Sequence, residues 1–349
     1  MLSRICMKKP DVLGNDDTRG WFTELERYHM GQFSTAAYQA NSTMEDYSQV
    51  EVSDNSLFVG IYDGHDGTNA AKFISNHICQ ELLRLIRENY NVMDDKLLRE
   101  AVAATEQKFT HVVNDNKHTN PDIKYVGSCC LITLIWKGVL YIANLGDSRV
   151  VLGTTYTDLP FRQGLQAQQL TRDRNREDHH IRVGLQQIYP DDTILMPDDY
   201  GWRAKDLSRI TSTIGDVYLK TYLPIVRDVS LPPYRYAVTS KPRINSRILR
   251  DGDEFFILAS RGFWEVMTNN EAVSIVKRNS RRGIAKILLR KALEKVAVKE
   301  KISYKDIVRS ADRKKFHDDI TIIVVFLDLC RPLWKRNVPK LSYKTPSHT

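Results

Sequence analysis

The chain has 349 residues, 42% of them hydrophobic and 27% charged. That balance suits a soluble globular protein, and no run approaches the roughly 18 uninterrupted apolar residues of a membrane span. The net charge of +8 would suit nucleic acid, but its excess lies in residues 277–301 and in the tail after Cys330, so no nucleic-acid partner is expected. In the first block Ala285, Leu288, Leu289, Ala292 and Val296 recur at helical spacing, and the lysines and arginines read as the solvated face of a core-packed helix. The tail reads as a solvated end; its Trp334 keeps a nuclear signal or contact with an anionic membrane open as alternatives. The basic residues at the N-terminus are followed by Asp11, Asn15, Asp16 and Asp17, which argues against a secretory signal. The cysteines (Cys6, Cys79, Cys129, Cys130, Cys330) lack the short paired spacings of a zinc site and suit reduced, buried thiols of a cytoplasmic or nuclear protein.

Along the chain, residues 1–30 show neither helical nor strand period and read as a loose N-terminal leader. A folded domain is expected over 31–330, followed by a basic C-terminal tail over 331–349. LFVGIY (57–62) reads as a buried strand stopped by Asp63-Gly64. After Thr68, the spacing of Phe73, Ile74, Ile78, Leu82 and Leu85 predicts an amphipathic helix, and Leu98, Val102, Phe109 and Val112 predict a second. CCLITLIW (129–136), the turn Lys137-Gly138, VLYIAN (139–144) and the strand after Gly146-Asp147 form a meander. Residues 154–250 are rich in Asp, Pro, Arg and Tyr and are expected to hold irregular connections and short elements. EFFILAS (254–260) reads as a strand, Asn269 or Asn270 as the cap of a helix beginning near Glu271, and ITIIVVFLD (320–328) as a final strand. Strands in runs, with helices inserted in pairs, argue for an α+β fold of antiparallel sheets with helices on their outer faces, and against a doubly wound nucleotide-binding fold.

Carboxylate-bearing turns end several apolar segments: Met44-Glu45-Asp46, Asp63-Gly64-His65, Gly146-Asp147-Ser148 and His317-Asp318-Asp319. Singly, each is ordinary turn chemistry. Together they suggest a hard-cation site, because carboxylates at the tips of neighbouring strands can converge on one pocket, and Mg²⁺ and Mn²⁺ prefer oxygen ligands. His317-Asp318 precedes a β-run, which sets it apart from helical metal phosphohydrolases. His179-His180 lies in a charged segment without partner spacing and reads as a pair of surface histidines.

In order, VGIYDGHDG (59–67), GSCCLITLIWKGVLYIANLGDSRVVLG (127–153), LTRD (170–173), IGDVYLK (214–220), DEFFILASRGFWEVMTNNEAV (253–273) and HDDITIIVV (317–325) resemble the blocks of the type 2C, metal-dependent protein serine/threonine phosphatases, most of all the plant members. The resemblance implies two antiparallel β-sheets packed as a sandwich and flanked by helices, a four-layer αββα arrangement. It also implies a binuclear Mg²⁺ or Mn²⁺ centre at which a metal-bound water attacks phosphoserine or phosphothreonine, so that no side chain is assigned as the nucleophile. Carried over by motif, Asp63 would bridge the two ions, Gly64 would offer its carbonyl and Asp318 would bind directly. Glu45 and Asp46 would act through water, and Asp147 would lie near a third metal position. Phosphoserine and phosphothreonine proteins, or their kinases, are the implied partners of a monomer.

Against that pattern, the block that should end Ala-Ser-Asp-Gly reads Ala259-Ser260-Arg261-Gly262. A metal-ligand aspartate is replaced by a permanent cation that cannot coordinate one. At about 4 Å and an effective dielectric of 20, two unit charges repel by about 4 kcal/mol, and a divalent ion doubles that. Asn41 stands where many members carry arginine, Asp66 where glycine follows Asp-Gly-His, Arg174 where histidine follows the aspartate, and Ser212 where the motif Ser-Arg-x-x-Gly-Asp has its arginine. Two readings of Arg261 follow. In one it swings to solvent, Asp66 or water fills the gap and a weakened metalloenzyme survives. In the other, which is preferred, the guanidinium lies among Asp63, Asp318 and Asp147 in place of the metal, and the protein is a pseudophosphatase.

Overall fold

The computed structural model describes residues 3–4, 19–158, 162–172, 195–198, 201–204, 212–221, 238–329 and 340–344. Arg174 and His179-His180 lie outside the described residues. Period-2 patterning accounts for the main sheets. In the strand Ser56–Tyr62, Phe58 and Tyr62 face one core and Leu57, Val59 and Ile61 another, with all five fully buried. The first sheet has seven strands, in the order Ser3–Arg4, Leu341–Lys344, Tyr47–Val52, Ser56–Tyr62, Cys130–Trp136, Val139–Leu145 and Arg243–Ile248. The second has six: Arg162–Gln169, Arg149–Asp158, Asp253–Ala259, Ile320–Leu327, Gly31–Tyr38 and Gly20–Tyr28. Every pair in these two sheets is antiparallel except the outermost, Ser3–Arg4 beside Leu341–Lys344, which is parallel.

Three apolar layers bind four layers of structure. Val59, Ile61, Leu131 and Ile142 meet Val150, Phe256, Leu258 and Ile323 between the sheets. Outside the seven-stranded sheet, Ile74, Ile78 and Leu82 of helix α1 (Asn69–Glu88) and Leu98, Val102 and Phe109 of helix α2 (Asp95–Asp115) cover Phe58, Tyr62 and Ile132. Outside the six-stranded sheet, Leu288, Leu289, Ala292 and Val296 of the helix Ile284–Glu300 cover Ile257, Ile322 and Val324. The expected four-layer α+β sandwich is therefore present, and the basic block at 277–301 does carry a core-packed helix.

The boundaries expected at both ends need correcting. Gly20–Tyr28 is a nine-residue strand paired with Gly31–Tyr38, not part of a loose leader. It carries Glu24, Glu26 and Arg27 and shifts register between Thr23 and Glu26, which erases the alternation by which a strand is recognised. Leu341–Lys344, expected to be peripheral tail, pairs with Tyr47–Val52 and buries Leu341 and Tyr343 between the sheets. Within 154–250, where irregularity was expected, Arg149–Asp158 and Arg162–Gln169 form a hairpin and Arg243–Ile248 an edge strand.

Candidate functional site

The strand Ser56–Tyr62 delivers Asp63 to one end of the sandwich, where its carbonyl accepts from the Cys129 N–H at 2.8 Å and from Ser128 Oγ at 3.2 Å. From the other sheet, Asp253–Ala259 ends at Ser260, which exchanges bonds with Thr321: Ser260 N donates to the Thr321 carbonyl at 3.0 Å and Thr321 N to Ser260 Oγ at 2.9 Å. The short helix Arg261–Trp264 follows at once. Its first backbone N–H, from Arg261, donates to Asp63 Oδ2 at 3.1 Å and joins the two sheets at the site.

The Arg261 guanidinium folds inward. Nη2 donates to Asp318 Oδ2, and Nε lies 3.6 Å from Glu265 Oε1. Asp318 Oδ1 accepts from Asn41 Nδ2 at 3.2 Å and from the Asp319 N–H at 2.9 Å. Asn41 Nδ2 also reaches Glu45 Oε2 at 3.1 Å, while Glu45 Oε1 takes the Gly67 N–H at 2.8 Å. The loop that carries Asn41 and Glu45 is held by Asp319, whose carboxylate accepts the N–H groups of Ala40 (2.7 Å), Asn41 (3.0 Å) and Glu45 (2.7 Å). Gly64 passes beneath this loop so closely that a Cβ there would stand 2.5 Å from the Glu45 carbonyl oxygen, which is why no side chain fits.

Burial and charge divide the carboxylates. Burial pushes Asp63 up to about 7; the Arg261 charge opposes that rise, while Asp318 and Asp147 add to it. Burial would also raise Asp318, but the charge and hydrogen bond of Arg261 hold it below the usual carboxylate range. Asp46 is raised well above its ordinary value by burial and by Asp63 and Asp319, which outweigh the opposing hydroxyls of Ser260 and Thr321. Burial likewise raises Glu45. Arg261 is half-buried, and although its partial desolvation opposes charge, Asp63, Asp147 and Asp318 push its pKa up, so it stays charged. Asp147 lies 6% exposed, with Cys129 Sγ 3.7 Å from its Oδ1. The structure thus brings Asp63, Gly64, Asp46, Glu45, Asp147 and Asp318 to one end of the sandwich, with Arg261 among them.

In this arrangement Arg261 already engages Asp318, a carboxylate that the family pattern would give to a metal ion. Both oxygens of Asp318 and both of Glu45 accept from N–H donors, and the guanidinium carries its charge among Asp63, Asp147, Asp318 and Glu265. Among the described residues, no group of three or more His, Cys, Asp or Glu is placed to hold an ion. Among the described residues the negative charge is met by Arg261, by the Lys314 charge acting on Glu45 and by the upward shifts of Asp63 and Asp46.

Sequence reasoning missed Asp319 as the residue that fixes the loop, and read Asn41 only as a lost arginine. It also missed a neighbouring pair: His65 Nε2 lies 3.0 Å from Asp216, and although burial opposes its charge, Asp216 lifts the imidazole to about 9. The signal for that pair was present in Gly215-Asp216, a turn that holds Asp216 at φ +49°.

The model of the family described as "Protein phosphatase 2C" matches residues 18–301. The chain is 42% identical over 323 residues to "Probable protein phosphatase 2C 43" of Oryza sativa subsp. japonica, covering 90% of this chain and 82% of that protein. It is 41% identical over 344 residues to "Probable protein phosphatase 2C 68" of Arabidopsis thaliana, covering 95% and 87%. The crystal structure of a serine-threonine phosphatase 2C from Toxoplasma gondii superposes with a TM-score of 0.66 at 18% identity, covering 88% of this chain and 99% of that one. Six ordered sequence blocks, the four-layer sandwich and these matches lead to one conclusion: the chain belongs to the protein phosphatase 2C family.

Proposed function

We propose that this family member is a pseudophosphatase, which binds phosphoserine and phosphothreonine proteins or the kinases that make them and has lost metal-dependent turnover. The observation that carries the reading is the Arg261 guanidinium bonded to Asp318, a cation standing where a ligand to a cation would be needed. With 27% of its side chain exposed, Arg261 can be reached from solvent. A guanidinium fork suits a phosphomonoester, and the incoming phosphate would compete with Asp318 for it. No hydrolytic step is assigned to these residues.

Two measurements test this. Purified wild-type protein should hydrolyse no phosphoserine or phosphothreonine peptide across millimolar Mn²⁺ or Mg²⁺, and Mn²⁺ should leave its Tm unchanged. Arg261→Asp restores a carboxylate, and Mn²⁺ should raise its Tm by several degrees, since an ion at about a hundred times its Kd adds about 2.7 kcal/mol. Mn²⁺-dependent turnover by the wild type, or a wild-type Tm rise equal to that of the variant, would sink the reading and restore an active phosphatase.

A further inference from the structure

Two helices on the outer face of the six-stranded sheet leave something uncovered. The helix Asn269–Arg278 turns Ala272, Val273 and Val276 to the core, and the helix Ile284–Glu300 does the same with Leu289, Ala292 and Val296. Their other faces enclose an open groove of about 580 Å³. The stripes that line it follow helical spacing on both sides: Glu271, Ser274, Ile275 and Arg278 on one, Lys291, Glu294, Lys295 and Val298 on the other. Its floor is apolar, through Met267 and Ile275. Val298 is two residues past the buried Val296, about 200° around the helix, so it cannot share the core. It is an aliphatic side chain left 80% exposed.

The charges around this floor do not cancel. Glu271 accepts from Lys295 at 2.8 Å, and Glu294 from Lys291 at 2.7 Å. Both acidic side chains are therefore satisfied by lysines of the groove itself. Arg278 and Lys299, which also line it, have no ion-pair partner among the described residues. An apolar floor with an uncompensated basic rim is complementary to a segment that is apolar on one side and acidic beside it. Flanking α-helices on both walls favour a helix as the occupant, laid in by anchors at i and i+4. A second copy of this chain would set like charge against like.

The geometry points to this groove as the docking site for an acidic, amphipathic helix of a partner protein, independent of whatever the carboxylate–arginine site binds. Rim charge sets the approach and the choice of partner, while the floor at Val298 and Ile275 supplies the desolvated contact.

A display library of random peptides about sixteen residues long, roughly four helical turns, tests this when selected on the full chain and counter-selected on Val298→Glu. Peptides enriched on the wild type should carry an apolar i, i+4 pair and a net negative charge. Their affinity should fall at least about tenfold for Val298→Glu and for the charge reversal Arg278→Glu/Lys299→Glu, and should weaken as salt rises. Both variants change exposed side chains, so circular dichroism and Tm should match those of the wild type. The proposal is overturned if no peptides are enriched, if those enriched are neutral or basic, or if they bind the variants as well as the wild type. It is equally overturned if Val298→Glu abolishes binding to phosphatidylserine vesicles while no acidic peptide binds, or abolishes a dimer seen by sedimentation. Those results would assign the face to a membrane or to a second copy.

Discussion

Arg261 meets its two aspartates with different atoms: the backbone N–H goes to Asp63 and the guanidinium to Asp318. Asp318 is held ionised by contact, whereas burial outweighs a more distant charge at Asp63 and leaves it near 7. A buried carboxylate cluster stripped of its cation is costly, by about 3–5 kcal/mol for fully buried pairs. Because the side chains of Arg261 and Asp318 keep 27% and 29% exposure, we expect Arg261→Ala to lose about 2 kcal/mol. Urea unfolding in the presence of a chelator measures this, and a variant as stable as the wild type would show that the arginine is not the counter-charge of the site. The sequence made the anomaly at position 261 visible because a single residue broke an ordered block. It concealed Asp319, because three backbone donors converging on one carboxylate depend on how residues 40–45 turn. No side-chain pattern encodes that turn.

Between elements, α1 and α2 are tied by Glu81. Its carboxylate, 5% exposed, receives Arg84 from its own helix and Lys108 of α2 at 2.6 Å. The hydrogen bond from Arg84, followed by that from Lys108, holds Glu81 below its ordinary range. A depressed carboxylate stabilises the fold above its unfolded pKa, and that contribution is lost as pH falls through the lower folded value. Glu81→Gln should therefore cost about 1 kcal/mol at neutral pH, discounted because both bases are half exposed. Its deficit relative to wild type should shrink below about pH 4.5. Unfolding midpoints of both proteins at pH 7 and pH 3.5 measure this, and a deficit that widens in acid would refute the pairing. Elements with clean periods were legible: 57–62, 129–136, 139–144 and 320–328 fall within a residue or so of the observed strands. The helix near Glu271 was found too, but its cap is Thr268, whose side chain and Glu271 close a capping box, rather than Asn269 or Asn270. Strands at the sheet edges were not legible. Gly20–Tyr28 and Arg243–Ile248 carry charges on faces that only half meet a core.

At the scale of the molecule, the sandwich is closed by residues far apart in sequence. Leu341 and Tyr343 enter the core between the sheets from the last described strand, while Ser342 bonds Glu51 at 2.8 Å. Ending the chain at residue 339 removes two buried side chains worth about 1.5–3 kcal/mol each. We expect a loss of about 3–4 kcal/mol, read as a lower urea midpoint at an m-value little changed. An unchanged midpoint would mean that the strand adds nothing to the core. A four-residue strand offers too short a pattern to be separated from a basic tail by sequence alone. The clamp at Asp319 also has an entropic meaning. Loops around a binding mouth usually lose freedom when a partner arrives, and that loss subtracts from affinity. Here the rim formed by residues 40–45 is already fixed by the Asp319 carboxylate, which stands just before Ile320–Leu327, the strand paired with Gly31–Tyr38 from which the rim departs. A phosphorylated segment reaching it would meet a template ordered at folding, so its recognition would be limited by fit and charge, not by the work of organising the receptor.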